Sequence, residues 1–506
     1  MLLTVDLGTS VTKVSLWDPG LVSCGRAELA VARPAVGWEE QDAEDWWRSV
    51  VEAAAAARAA AGLGSVAPAA AVVCCGARQT FVTVEPSGRP TGPGILWSDR
   101  RAGGEVDELL ERSGGAEAVE AATGAPLAAE SVAAKLAWLA RHRKEDLDRA
   151  GSLLTPRDYV VHRLSGELAT DTTMASRCGL YDLEGRPLPE LVGPADRLLP
   201  PVLPSDAVVG SVQPRPAEEL GVPTGTPVVV GAGDRACEVL GTGASASVPM
   251  VSWGTTASVV VPVAELPEPR LPGLVVSRSA TEGWLLEGGL SAAGALLEWI
   301  GRLCGQSIDA LVAEAARRPP GARGVVAAPW LGGARAPWWR DGARAGFVGA
   351  GADHDAADLT RAAVEAVAAD VRRCISLAVP ATGRGASADP DALPAGALPV
   401  DGVPVDAMAL AGRGGASALW PEVVAAVCGV PARSRASGEA ASAGAALLGA
   451  RAVGMPLTVD EVDPPAAELA PDPAAVGLYT GWRRRAEVVA RALVELDLGP
   501  EALGGG

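Results

Sequence analysis

Residues 2–18 read LLTVDLGTSVTKVSLWD, two apolar runs joined at Gly8-Thr9-Ser10. The pattern predicts two strands and a tight turn, a β-hairpin. A purely structural hairpin has little use for an acid, hydroxyls and a lysine in so short a space. Backbone N–H groups at Gly8, Thr9 and Ser10 are suited to phosphate oxygens, because glycine permits close approach and the turn aims its donors one way. Asp6 is suited to Mg²⁺, held directly or through water, and Lys13 to offsetting phosphate charge. The plain alternative is a capped hairpin with an exposed lysine. Residues 248–263, VPMVSWGTTASVVVPV, repeat the strand, Gly-Thr turn and strand. Similar units near the start of each half predict two related α/β domains facing a shared cleft, divided as 1–245 and 246–506.

Outward from these hairpins, the bulk numbers narrow the class. At 506 residues the chain exceeds one ordinary core and predicts two large domains. Its 48% hydrophobic and 21% charged residues fit a soluble globular protein. A net charge of -18 argues against nucleic-acid or anionic-membrane partners, which reward clustered cations. An anionic substrate stays open where local Arg, Lys or metal offsets that field. Eight cysteines include no C-x-x-C pair, and the opening MLLTVDLGTS lacks a secretory pattern. Reduced thiols in the cytoplasm are therefore expected. His142, His162 and His354 stand far apart, which argues against a histidine metal centre. The uncharged stretch 239–264 carries Pro249 and Pro262 and reads as strands and turns, not a membrane span.

Residues 39–62 predict a helix with Asp42 as N-cap and Gly62 at its end. AAVVCCG (70–76) reads as a short buried strand, and residues 131–150 as one helical stretch. TPVVVGAGDRACEVLG (226–241) reads as strand, glycine turn and helix, and residues 356–378 as a helix with apolar steps of three and four. Residues 380–402 read as an exposed loop, VDAMALAGRGGAS (405–417) as strand and glycine turn, 439–454 as a helix, and the last ten residues as frayed.

Three glycine turns compete as nucleotide sites, and no Walker-type P-loop is present. Gly231-x-Gly233-x-x-Ala236 satisfies the dinucleotide fingerprint, which on its own implies an NAD enzyme. Against this, Asp234 inside the turn opposes a pyrophosphate on the helix N-terminus, and the expected downstream acid falls in the uncharged stretch. Asp234 is better placed to take a proton from a hydroxyl that attacks a phosphoryl group. The alternative is an acid that merely complements the helix dipole. Arg78, Gln79, Asp99, Arg100 and Arg101 near strand ends suit a polyhydroxylated ligand, or else form a surface salt-bridge cluster.

Taken in order over roughly residues 1–450, these pieces resemble the FGGY carbohydrate kinases, ATP-dependent sugar and polyol kinases that include xylulokinase and glycerol kinase. DLGTS resembles the family's first phosphate motif, WEEQDAEDWW its early helix start, and ILWSDRR its W-x-D-x-R segment. GELATDTTMAS resembles the stretch before the catalytic region, and GFVGAGADHDAADLTRAAVEA is similar to the C-terminal signature. The match of GAGD implies Asp234 as general base. WGTTA implies Gly254 and Thr255 near the ATP phosphates, and AGRGGAS implies Gly414 and Gly415 near the base or ribose.

The resemblance implies an actin-like fold of two ribonuclease-H-like domains with an inter-domain active-site cleft, sugar mainly on the first and ATP with Mg²⁺ mainly on the second. Closure would exclude water. D-Xylulose is the first expectation for substrate. Glycerol, another ketose or a polyol are the alternatives, ahead of an NAD-dependent dehydrogenase or a non-catalytic actin-like nucleotide binder. A homodimer is left open. Ala77-Arg78-Gln79-Thr80 is similar to the Gln-Arg-Glu-Thr stretch of glycerol kinases, which implies substrate contacts at Arg78 and Gln79. Glu130 and Arg235 depart from the family's tyrosine and glutamine. These extra charges point to a substrate unlike both references, acidic or larger.

Overall fold

The computed structural model of the protein describes residues 1–268, 271–378, 405–417 and 419–496. The 380–402 loop and the frayed terminus expected from sequence lie outside the described residues. Two compact units form, the first from Met1–Gly241, Val276–Glu282 and Ala440–Pro464, the second from Thr242–Val275, Gly283–Glu439 and Pro465–Gly506.

The first unit opens with the expected hairpin, β1 (Leu2–Leu7) and β2 (Val11–Asp18), followed by β3 (Gly20–Glu28). Helix α1 (Ala43–Ala60) starts where Asp42 accepts the Glu44 N–H at 2.9 Å. Next come β4 (Ala71–Gly76), α2 (Val132–His142), α3 (Pro156–Ser165), β5 (Val208–Ser211), β6 (Pro227–Gly233) and α4 (Asp234–Thr242). The predicted single helix over 131–150 is broken: Arg143 leaves helical geometry, and a separate helix covers Lys144–Arg149. The sheet order is β5-β6-β4-β1-β2-β3. Strands β1, β4 and β6 run parallel, while β2, β3 and β5 are antiparallel to their neighbours. Every residue of β1 and β4 is buried, as expected of central strands covered on both faces.

The second unit repeats this plan. Its hairpin is β7 (Met250–Trp253) and β8 (Ala257–Val263), then β9 (Trp284–Leu290), α5 (Gly294–Cys304), α6 (Ala356–Ala378), β10 (Met408–Ala411) and β11 (Ala432–Arg435). Helix α7 (Ala440–Ala452) belongs to the first unit, and β12 (Pro465–Leu469) returns to the second. Six strands of the second sheet run β9-β8-β7-β10-β11-β12. Strand β7 pairs antiparallel with β8 and parallel with β10, β10 runs parallel to β11, and β12 is antiparallel at the edge. Each unit therefore has a three-strand meander, two further parallel strands and an antiparallel edge. The internal repeat read from the two Gly-Thr hairpins extends to six strands of each sheet.

A single boundary at 245/246 is too simple. Helix α7 packs on β1, β4 and β6, with the Thr4 and Ser442 hydroxyls 2.6 Å apart in the core. Small residues let it lie flat on that sheet, so residues 440–464 complete the first unit from far along the chain. Among the described residues no helix is long and apolar enough to cross a membrane.

Candidate active site

Three neighbouring parallel strands of the first unit end level: Leu7 pairs with Gly76, and Gly76 with Gly233. From these ends the chain runs into the Gly8 turn, into Arg78-Gln79 and into Asp234. The carboxyl ends of adjacent parallel strands are where α/β sheets bind ligands. Asp234 opens α4, and its Oδ1 accepts the Arg235 N–H at 2.7 Å. Arg78 Nε stands 3.7 Å from the same oxygen, and the carboxylate keeps 40% of its surface exposed. The Arg78 stem lies across Gly233, where an added Cβ would stand 2.8 Å from its Cγ and Cδ. Gly233 thus makes room for Arg78. The dinucleotide reading of this turn is overturned, since an acid is the first residue of the helix and the sheet opens with an antiparallel meander.

Asp6 and Lys13 face each other across the hairpin, with Nζ 3.8 Å from Oδ2. The Gly8 N–H donates to the Val11 carbonyl at 3.2 Å, closing the turn. The Gly8 N–H, expected as a phosphate donor, is therefore already engaged within the turn. The Thr9 carbonyl accepts from Gln41 Nε2 at 2.7 Å, and its hydroxyl accepts from Trp97 Nε1 at 3.0 Å. Among the described residues no group of three or more His, Cys, Asp or Glu is gathered for a metal. One carboxylate beside a phosphate turn suits Mg²⁺, which keeps several waters and takes the rest from phosphate.

Gln79 holds a left-handed backbone, φ 64°, and its carbonyl accepts from Lys135 Nζ at 2.8 Å. The same amine donates to the Leu96 carbonyl at 2.9 Å, so one side chain of α2 ties the 79 turn to the segment before Trp97. Burial pushes the Lys135 amine down to about 7. Lys135 was missed in the sequence. Its signal was a lone lysine on the apolar stripe Val132, Leu136, Leu139. Asp99 is corrected from a substrate contact to an interior support. It has no exposed surface, accepts the Glu39 N–H at 2.6 Å and is held by two Arg101 guanidinium donors at 2.9 and 2.7 Å. The Arg101 guanidinium also lies 4.0 Å from the Trp38 ring centroid. Arg235 pairs with Glu238 one turn along α4, and Arg100 Nε pairs with Glu130 at 2.9 Å. Both departures in charge are thus locally matched.

In the second unit β7 and β10 are parallel neighbours, with Ser252 opposite Ala411, so the Gly254-Thr255 and Gly414-Gly415 turns leave the same sheet edge. Gly254 and Thr255 are exposed. Their carbonyls accept the N–H groups of Gly294, Ala293 and Ala295, each at 3.0 Å, which seats the start of α5. Trp253 lies under the other turn, where a Cβ at Gly414 would stand 2.5 Å from its Cβ. The Trp253 and Trp420 rings are 5.8 Å apart.

The chain matches the model of the N-terminal domain of the FGGY family of carbohydrate kinases over residues 1–241 and that of the C-terminal domain over residues 250–453. It is 30% identical over 377 residues to a xylulose kinase of Escherichia coli (strain K12), covering 72% of this chain and 76% of that one. It is 25% identical over 385 residues to a gluconokinase of Bacillus subtilis (strain 168), covering 72% and 74%. A xylulose kinase structure from Rhodospirillum rubrum superposes with a TM-score of 0.83 at 26% identity, covering 97% of this chain and 98% of that one.

Proposed function

The chain belongs to the FGGY family of carbohydrate kinases, and on that premise we propose that it transfers the γ-phosphoryl group of ATP to a hydroxyl of D-xylulose, giving D-xylulose 5-phosphate. The observation that carries this reading is the level ending of β1, β4 and β6, which gathers the hairpin turn, Arg78-Gln79 and the half-exposed Asp234 at one edge.

Asp234 takes the proton from the acceptor hydroxyl as that oxygen attacks phosphorus, and ADP leaves. Arg78 orients the carboxylate and, with Gln79, donates to acceptor oxygens. Thr9, Ser10 and Lys13 steady the transferring phosphate. Gly254-Thr255 and Gly414-Gly415 cradle the rest of the nucleotide. Asp6 would hold Mg²⁺, directly or through water, and that ion would supply charge neutralisation on the phosphates. The pairing of Arg235 with Glu238 and of Arg100 with Glu130 favours an uncharged acceptor over a sugar acid.

The test is ADP release measured across D-xylulose, D-ribulose, glycerol, sugar alcohols and gluconate. Sugar-stimulated turnover is expected, with D-xylulose showing the highest kcat/KM. ATP binding with no stimulation by any acceptor would overturn the kinase reading, and preference for gluconate would overturn the choice of substrate.

A further inference from the structure

Strand β6 is irregular just before Asp234. Its pairing with β4 shifts register between Val229 and Ala232, and Gly231 stands at φ 76°. A bulge re-aims the residues beyond it, but it takes backbone groups out of the ladder, and buried ones must find partners elsewhere. Here the Val230 and Gly231 N–H groups donate to the carbonyls of Ala207 and Ser205 at 3.0 and 2.9 Å. Their carbonyls accept from one side chain, Arg157 of α3, whose Nη1 lies 3.0 Å from Val230 O and 2.7 Å from Gly231 O. Arg157 has no exposed surface, and a guanidinium there demands carboxylate partners. Asp158 and Asp171 supply them, with Asp171 Oδ1 3.1 Å from Nη1.

Asp171 in turn reaches the residue before Asp234. Its Oδ2 accepts from the Thr173 hydroxyl and the Ser205 hydroxyl, both at 2.7 Å, and Oδ1 accepts the Met174 N–H at 3.2 Å. A threonine hydroxyl has one hydrogen, and Asp171 takes it. That fixes the direction of the chain and leaves the Thr173 oxygen as acceptor, and the Gly233 N–H donates to it at 2.8 Å.

We propose that the buried Arg157–Asp171–Thr173 chain is the positioning device of Asp234. It clamps the bulge through two carbonyls and the next peptide through one N–H, setting where the carboxylate stands. None of the three residues touches substrate in the proposed reaction, on which this inference rests. Displacement of a base by a fraction of an ångström lowers turnover while leaving ground-state binding of both substrates intact.

The experiment uses the full chain and its best acceptor. Thr173→Val keeps the shape and removes the oxygen. Its kcat should fall at least tenfold, with KM for acceptor and for ATP within about twofold, while Thr173→Ser should restore kcat to within about threefold of wild type. An unchanged kcat in T173V, or a loss confined to KM, overturns the proposal. If T173V does not fold, Ser205→Ala removes one donor to the same Asp171 oxygen. Its kcat should fall several-fold at constant KM, and an unchanged kcat overturns the proposal. A wild type that transfers no phosphate to any acceptor overturns the kinase reading and this proposal with it. An active wild type with an equally active T173V overturns this proposal alone.

Discussion

Lys135 places its amine at a point with no exposed surface, facing the carbonyls of Gln79 and Leu96. A neutral amine has two hydrogens for these two acceptors, so loss of the charge costs neither bond. The folded value of about 7 lies well below the roughly 10.4 of an unfolded lysine. Between those values the unfolded chain binds more protons, so this residue's contribution to stability rises with pH from about 7 to about 10 and is lost as pH falls through 7. The melting temperature of wild type minus that of Lys135→Met should therefore climb over that window, and a flat difference would contradict it. At Asp234 the expectation concerns rate. Asp234→Asn should lower turnover on the order of a thousandfold, the scale of a lost general base, with the ATP dissociation constant within a few-fold. Substantial residual turnover in steady-state assays would remove Asp234 from that role. The two residues differ in legibility. Asp234 is marked by the strand, glycine turn and helix it stands in, a local pattern, whereas Lys135 shows its role only through carbonyls 56 and 39 positions away.

The elements that present these residues are hairpins and glycine turns set on strand ends, and there the sequence was most informative. The apolar runs on either side of the Gly8 and Gly254 turns became β1–β2 and β7–β8, and the three-and-four spacing over 356–378 became α6 at those limits. Such patterns are local, fixed by apolar spacing and turn chemistry within a dozen or so residues. Burial is not local. The WSDRR segment promised a surface cluster or a sugar contact, and only the fold reveals Asp99 sealed under Arg101 and Trp38. Glycine substitutions test the turns as units. Gly414→Ala brings a methyl to 2.5 Å from Trp253 Cβ and should weaken ATP binding tenfold or more, measured by calorimetry. Gly233→Ala pushes on the Arg78 stem and should raise the acceptor KM about tenfold with ATP affinity unchanged. If the two variants alter the same substrate, the division of labour between these turns is wrong.

At the scale of the whole molecule, the two sheets share one strand plan, yet the units they anchor are not contiguous in the chain. The repeat was legible because each half opens with the same hairpin. The excursion of 440–464 was not, because an Ala/Gly/Ser helix carries no mark of the sheet it covers. Helix α7 places Ser442 within hydrogen-bond reach of Thr4 and of Trp17 Nε1, at 2.6 and 3.3 Å, and lays Gly449 against Val73. Without it the faces of β1 and β4 lie open, and each buried polar group left unpaired costs about 1–3 kcal/mol. A fragment ending at residue 241 should therefore show no cooperative thermal transition, and added peptide 440–464 should restore one. A sharp transition in the fragment alone would show that α7 is dispensable. The same topology sets a timetable at the ribosome. Residues 1–241 leave the exit tunnel first, but synthesis of the helix that closes their sheet begins only 199 residues later. At about 10 residues per second, the apolar face of a half-finished unit stands uncovered for roughly 20 s of synthesis. The nascent chain should therefore depend on a holding chaperone over that interval, and stalling translation before residue 440 should strand it in an aggregation-prone state.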